Sequence, residues 1–246
     1  MSFAVKVIPA VDLMNGKVVR LFKGDPKTAK AYDYLGEPVA IAKKWAEEGA
    51  DALHIVDLDA AFGMGDNLAT VLKIVKAVNL PLQIGGGIRS LERAEALLTM
   101  GADYIVLGTL AFSKPEVLEE LRKKFGDRVI VALDHADGRV MVEGWKESAG
   151  LRVEEALKKF LELHVKTFLL TSIVRDGTLK GVDSEVLSQA CTYKNAKIIA
   201  AGGVSGLGDL AILQRIGVYG VVIGKALYEG FFTLKEALKV AREVVD

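Results

Sequence analysis

The sequence predicts an α/β protein, a single TIM (β/α)8 barrel made of two duplicated (β/α)4 half-barrels over roughly residues 1–125 and 126–246. Three observations lead to this fold class. Short apolar runs alternate with helical patterns along the chain. The runs are continuous rather than interrupted by polar residues, which is typical of parallel strands covered by helices. Motifs also recur at a constant spacing, which indicates an internal duplication.

The eight predicted strands are short and rich in β-branched residues, and they cover 5–11, 52–56, 80–84, 104–107, 129–133, 167–170, 197–200 and 220–223. Helical patterns occupy the intervals, over 37–49, 67–78, 90–101, 114–126, 152–164, 183–193, 206–217 and 233–245. A doubly wound open sheet would also alternate strands with helices. The internal repeat and the lack of an obvious linker favour one closed barrel.

The repeat has an offset of 116 residues, and it relates Gly86 to Gly202, Gly87 to Gly203, Gly101 to Gly217 and Gly108 to Gly224. Asp12 and Asp134, each at the end of a predicted strand, are 122 residues apart. This spacing differs from the repeat by a small insertion. The second half of the chain therefore repeats the first, with four βα units in each.

The composition argues against several classes of partner. The 32 Lys and Arg residues balance 32 Asp and Glu residues, so we expect no nucleic-acid partner. The longest apolar runs have the length of strands, so we expect no membrane span. The first residues lack the pattern of a secretory signal. We expect a cytoplasmic, soluble monomer.

Two glycine-rich turns each join a predicted strand to a helix, Gly86-Gly87 with Arg89 in "QIGGGIRSL" and Gly202-Gly203 in "AAGGVSGL". Glycine lets backbone N–H groups approach an anion closely, and the positive end of the helix dipole adds to the attraction. These turns are therefore candidate phosphate loops. Glycines that only close a turn are the alternative.

A second pair of turns follows the next strand of each half, with Gly108 and Thr109 in "VLGT" and Gly224 and Lys225 in "VIGK". In this fold the loops after strands 7 and 8 frequently bind phosphate. The repeat places an equivalent pair after strands 3 and 4, on the opposite side of the barrel mouth. The sequence therefore predicts a small-molecule ligand with two phosphates, one at each end.

Two aspartates are the candidate acid and base. Asp12 ends predicted strand 1 and Asp134 ends predicted strand 5, so they face each other across the barrel mouth, where the catalytic residues of this fold lie. Two carboxylates between two phosphate sites suit proton transfer at the middle of a long substrate. No cluster with metal-ligand spacing is evident, and we expect no metal. A loop cap or a salt bridge is the alternative role for either residue.

Other polar residues follow the same strand ends. Thr171 ends predicted strand 6, and Asp176 in "RDGT" either transfers a proton or forms a turn. Trp145 lies in the long loop after strand 5, where it either stacks on a heterocycle or packs the loop. His54 falls inside strand 2, which favours a hydrogen-bonded interior histidine over a base.

Together these motifs resemble the phosphoribosyl isomerases of histidine biosynthesis. The matching segments cover essentially the whole chain and include "IPAVDL", "HIVDLDAAFG", "QIGGGIRS", "RDGTL", "AAGGVS" and "VIGKALYEG". The resemblance implies an Amadori rearrangement of N'-(5'-phosphoribosylformimino)-5-aminoimidazole-4-carboxamide ribonucleotide, an aminoaldose, to its aminoketose, without a cofactor. It also implies that Asp12 is the base and Asp134 the acid, with Asp176 a rival for the acid and Thr171 a supporting hydrogen-bonding residue.

Three alternatives stay open. The cyclase subunit of imidazole glycerol phosphate synthase is similarly duplicated, but "PAVDL", Arg20 and the "GW" loop favour the isomerase. A bifunctional isomerase that also accepts phosphoribosylanthranilate is the second. A non-catalytic phosphosugar-binding barrel is the third, and it would keep the glycine turns while losing the aspartates.

Overall fold

The computed structural model describes residues 4–243, which form twelve strands. They are β1 (Lys6–Met14), β2 (Lys17–Phe22), β3 (Asp25–Ala31), β4 (Leu53–Asp57), β5 (Leu82–Gly85), β6 (Tyr104–Leu107), β7 (Val129–Ala136), β8 (Arg139–Val142), β9 (Glu147–Arg152), β10 (Thr167–Ser172), β11 (Lys197–Ala201) and β12 (Gly220–Ile223). Eight of them close into a parallel barrel in the order β1-β4-β5-β6-β7-β10-β11-β12, with β12 paired to β1. The predicted TIM barrel is confirmed.

Eleven α-helices accompany the strands in the described part of the chain. They are α1 (Pro38–Glu47), α2 (Leu58–Phe62), α3 (Leu68–Ala77), α4 (Leu91–Met100), α5 (Thr109–Ser113), α6 (Pro115–Phe125), α7 (Val153–Glu162), α8 (Ser184–Ala190), α9 (Leu207–Ile216), α10 (Lys225–Tyr228) and α11 (Leu234–Arg242). Every predicted helix has a counterpart, although the last predicted one reaches 245, outside the described residues. None of the helices between residues 4 and 243 is long and apolar enough to cross a bilayer.

Two layers of apolar side chains hold the barrel together. The inner layer comes from the strands and fills the barrel interior below the rim, with Ile8, Ala10, Ala52, Val106, Ile130, Ala132, Leu169, Ile199 and Val222. The larger outer layer lies between the strands and the surrounding helices. Apolar packing therefore occupies the lower barrel and leaves the carboxyl ends of the strands for polar residues.

Two hairpins at the carboxyl rim were not predicted. β2 and β3 extend from β1, and β8 and β9 extend from β7, all by antiparallel pairing. The segment with Trp145, read as a loop from sequence, is the tip joining β8 to β9. The hairpins escaped prediction because their patterns are short and mixed. β2 is apolar apart from Lys17 and Arg20, whereas the side chains of β3 are exposed along nearly its whole length. The two hairpins lie at equivalent places in the two halves, after barrel strands 1 and 5.

A buried polar cluster fixes the turn between β1 and β2. The Asn67 amide donates hydrogen bonds to the Leu13 carbonyl at 3.3 Å and to carboxylate oxygens of Asp57 and Asp59 at 2.8 and 2.9 Å. Its oxygen accepts from the Gly16 N–H at 2.9 Å. Because these groups lie away from water, each lost bond leaves an unpaired polar atom. The cluster thereby fixes where β2 enters the barrel mouth.

We predict that Asn67→Ala lowers the free energy of unfolding by about 2–4 kcal/mol, because it leaves several buried polar atoms without hydrogen-bond partners. Denaturant unfolding measures the change. Lys17→Ala, an exposed change in the neighbouring β2, is the control and should leave the unfolding midpoint unaltered. An Asn67→Ala protein with the wild-type midpoint would show that the cluster does not hold the turn.

Candidate active site

One cavity of about 660 Å³ opens at the carboxyl ends of the barrel strands. All fourteen residues singled out from the sequence line it: Asp12, Gly86, Gly87, Arg89, Gly108, Thr109, Asp134, Trp145, Thr171, Asp176, Gly202, Gly203, Gly224 and Lys225. Barrel closure brings these separate segments together. Asp12 and Asp134 stand on strands opposite each other in the ring, and the glycine turns stand at right angles to them.

Asp12 is paired with Arg20, a site residue that the sequence reasoning did not select. The Arg20 guanidinium donates to an Asp12 carboxylate oxygen at 2.7 Å, with both side chains largely buried. Burial raises the pKa of Asp12 to about 6, the Arg20 charge opposes that rise, and nearby Asp176 adds to it. The available signal was a single arginine within the otherwise apolar segment "VVRL" of β2.

The absence of a side chain at Gly224 makes room for Arg20. A Cβ atom at this position would overlap the Arg20 guanidinium. Gly224 is thus required for the packing of Arg20, in addition to its candidate role in a phosphate turn.

Asp134 is held by a neutral donor instead of a cation. The Trp145 indole N–H donates to an Asp134 carboxylate oxygen at 2.7 Å. Burial raises the pKa of Asp134, and hydrogen bonds from Trp145 and Thr171 oppose the rise. Trp145 also packs against Gly24, where a Cβ atom would overlap its ring. The two hairpins therefore meet above the cavity, and Trp145 orients a carboxylate as well as packing the tip.

Asp176 is the third carboxyl group at the rim. Its carbonyl accepts from the Lys23 N–H at 3.2 Å, which ties the loop after β10 to the β2–β3 turn. Burial raises the pKa of Asp176, and the charge of Arg20 opposes that rise. Arg20 thus acts electrostatically on both Asp12 and Asp176.

The two double-glycine turns have backbone conformations that only glycine adopts without strain. Gly86 and Gly87 have φ values of +94° and +65°, and Gly202 and Gly203 both have +86°. A Cβ atom would clash with backbone atoms at each position. The turns lead towards α4 and α9, so their N–H groups and the helix dipoles suit an anion at each of two opposite sides of the carboxyl rim.

Two cations stand near these turns, and each is anchored to backbone carbonyls. Arg89 donates to the carbonyls of Ala60 and Ala61, both at 2.8 Å. Lys225 donates to the carbonyl of Gly177 at 2.8 Å. Thr109 accepts from the Glu143 N–H at 2.9 Å, which links its turn to the β8–β9 hairpin. These contacts fix the positions of the candidate phosphate-binding side chains.

His54 lies on the cavity floor, and burial lowers its pKa to about 4, which keeps its imidazole neutral at physiological pH. The interior position agrees with the prediction, but among the described residues the buried Nδ1 atom has no hydrogen-bond partner. Within residues 4–243, no three His, Cys, Asp or Glu side chains come close enough together to hold a metal ion.

The fold and the site together define a (β/α)8 barrel with opposed carboxylates between two glycine-rich sides of one cavity. Comparison with known proteins gives the family. The sequence profile described as "Histidine biosynthesis protein" matches residues 6–233, and the chain belongs to this family.

Three relatives carry the same name, 1-(5-phosphoribosyl)-5-((5-phosphoribosylamino)methylideneamino) imidazole-4-carboxamide isomerase. The protein of Nitrosopumilus maritimus is 42% identical over 234 residues, covering 95% of this chain and 98% of its own. That of Methanocaldococcus jannaschii is 41% identical over 237 residues, covering 96% and 99%. That of Desulforudis audaxviator is 44% identical over 246 residues, covering 98% and 92%.

We predict that Asp12 titrates near pH 6 and that Arg20→Gln raises its pKa further, because the charge favouring the carboxylate is removed. Carboxyl ¹³C NMR titration measures both values. Lys27→Gln removes the same charge from the exposed part of the same hairpin and serves as the control. An Asp12 pKa near the ordinary 3.8 would contradict the dominant effect of burial, and a pKa unmoved by Arg20→Gln would contradict the ion pair.

Proposed function

We propose that this protein is an aldose–ketose isomerase that converts the aminoaldose N'-(5'-phosphoribosylformimino)-5-aminoimidazole-4-carboxamide ribonucleotide to its aminoketose. The observation that carries the proposal is the placement of Asp12 and Asp134 between two opposite glycine-rich sides of one cavity. The relatives' shared name, which specifies two phosphoribosyl groups, supports the same substrate. We further propose a cytoplasmic monomer whose one required partner is this small bis-phosphate.

The substrate's shape fits the arrangement of the site. Its two phosphates lie at its ends, and the reacting ribose carbons lie between them. One phosphate binds at the turns of Gly86, Gly87 and Gly108, and the other at the turns of Gly202, Gly203 and Gly224. Binding energy from the two ends then holds the ribose beside the carboxylates, which is the use of remote contacts that accelerates a reaction at the centre.

The reaction requires only proton transfers. An acid protonates the ribose ring oxygen, the ring C–O bond breaks, and the nitrogen lone pair forms a Schiff base at C1′. A base then removes the proton from C2′, and the electron pair moves towards nitrogen to give an enolamine. Protonation at C1′ and loss of the hydroxyl proton at C2′ complete the aminoketose. No electrons leave the substrate, so the reaction needs no redox partner.

Asp12 is the proposed base and Asp134 the proposed acid. A pKa of about 6 suits Asp12 to accept a proton near neutral pH, and the Arg20 charge favours its ionised form. Burial raises the pKa of Asp134 above that of an ordinary carboxyl group, which favours proton donation. Asp176, also with a raised pKa, is the rival acid. Thr171 is proposed to support Asp134 by its hydrogen bond.

We predict that Asp12→Asn and Asp134→Asn each lower kcat by about 10²–10⁴-fold, the usual contribution of a positioned acid or base. Spectrophotometric turnover of the aminoaldose measures the loss, and circular dichroism checks that the fold is kept. Asp33→Asn, the same change at an exposed carboxylate paired with Lys17, is the matched control. Full turnover by both active-site variants would refute the acid–base assignment.

The bifunctional alternative gives a separate prediction. Phosphoribosylanthranilate has one phosphate, so one of the two proposed phosphate sites would stay empty and the binding energy of that site would be lost. We expect kcat/KM for it to be at least about 100-fold below that for the aminoaldose. Parallel assays of both substrates decide the question. Values within tenfold of each other would favour a bifunctional enzyme.

A further inference from the structure

Two pairs of aromatic side chains stand at places related by the internal repeat. Trp45 on α1 meets Tyr228 on α10 edge-on, with ring centres 5.8 Å apart and planes at 84°. Phe160 on α7 meets Phe112 on α5 in the same way, at 5.0 Å and 88°. Tyr228 follows Phe112 at the repeat offset of 116 residues. Helix α1 packs against β1, the strand of Asp12, and helix α7 packs against β7, the strand of Asp134.

The repeat-related residues Tyr228 and Phe112 differ by one hydroxyl group, and the Tyr228 hydroxyl contacts the strand of Asp12. Tyr228 donates a hydrogen bond to the Ala10 carbonyl at 2.8 Å. Pairing between β1 and β12 ends at Pro9 and Ile223, since Gly224 then turns the chain into α10. Tyr228 thus supplies β1 with a partner just beyond the reach of β12, two residues before Asp12. Phe112 has no hydroxyl to offer the equivalent strand.

The position of the Tyr228 hydroxyl is fixed by packing on more than one side. Only 4% of Tyr228 is exposed, and its ring lies 4.9 Å from that of Tyr32 as well as against Trp45. Tyr32 in turn donates to a Glu229 carboxylate oxygen at 2.6 Å, which also binds Lys30 at 2.7 Å. Burial raises the pKa of the Tyr228 hydroxyl, so it stays protonated and remains a donor.

We propose that Tyr228 is a positioning residue for Asp12, holding β1 at Ala10 so that the carboxylate meets Arg20 and the proton it removes. The kinetic part of this inference rests on the proposed isomerase function. The structural part, the effect on the ionisation of Asp12, does not.

The test is Tyr228→Phe, with Tyr32→Phe as the matched control in the same aromatic cluster. Phe112 occupies the equivalent place in the other half, so the Tyr228→Phe protein is expected to fold. We expect kcat to fall about 3- to 10-fold in Tyr228→Phe, because the loss of one hydrogen bond leaves Asp12 less well aligned. KM should stay within about twofold of the wild-type value. The acid limb of kcat/KM and the ¹³C NMR titration of Asp12 should both move to higher pH, because contact with Arg20 loosens. Tyr32→Phe should leave all of these unchanged.

Three results would overturn the inference. The first is a wild-type kcat in Tyr228→Phe. The second is a fall in kcat without a shift in the Asp12 titration, which is what a merely structural role would give. The third is an equal effect in Tyr32→Phe, which would show that losing a different hydroxyl bond of the cluster is enough and that the bond to Ala10 is not specific. Failure of the wild-type protein to turn over the aminoaldose would refute the proposed function alone, since the NMR titration still tests the positioning of Asp12.

Discussion

Closure of eight parallel strands is the constraint on which the site depends. Because the strands run in one direction, all their carboxyl ends meet at one rim, and pairing of β12 with β1 turns that rim into a ring. Asp12 and Asp134 are 122 residues apart in the chain and yet line the same cavity. The apolar layer below them fills the barrel and excludes water from its interior. This burial is also what raises the pKa of each carboxyl group at the rim.

The internal duplication supplies a symmetric frame, but the centre of the site is asymmetric. Both halves have a double-glycine turn, a second glycine turn and an aspartate two residues before the end of a barrel strand, Asp12 in β1 and Asp134 in β7. Asp12 meets the Arg20 cation, whereas Asp134 meets the neutral indole of Trp145. A cation favours the ionised carboxylate more strongly than a neutral donor does. Such a site suits a substrate whose two ends are alike and whose middle must lose a proton on one side and gain one on another.

Sequence reasoning found the barrel and the fourteen cavity residues, because the signals for both are local. A continuous apolar run marks a strand buried on both faces, and a polar residue at its end marks the rim. The two hairpins gave a weaker signal, since β2 is a short apolar segment interrupted by Arg20 and the side chains of β3 are exposed along nearly its whole length. Arg20 was missed because a lone arginine in such a segment does not show which group it faces. Its role follows from the path of β2 over the barrel mouth, which the buried Asn67 cluster fixes through contacts far apart in sequence.

On the proposed mechanism, residues of this chain move protons on a doubly phosphorylated aminoaldose held across the barrel mouth. Incubation of the purified protein with that aminoaldose, without added metal or ammonia, followed by chromatography of the product, tests this directly. We expect conversion to the aminoketose with repeated turnover. No conversion at substrate and enzyme concentrations at which the Methanocaldococcus jannaschii relative reacts would contradict it.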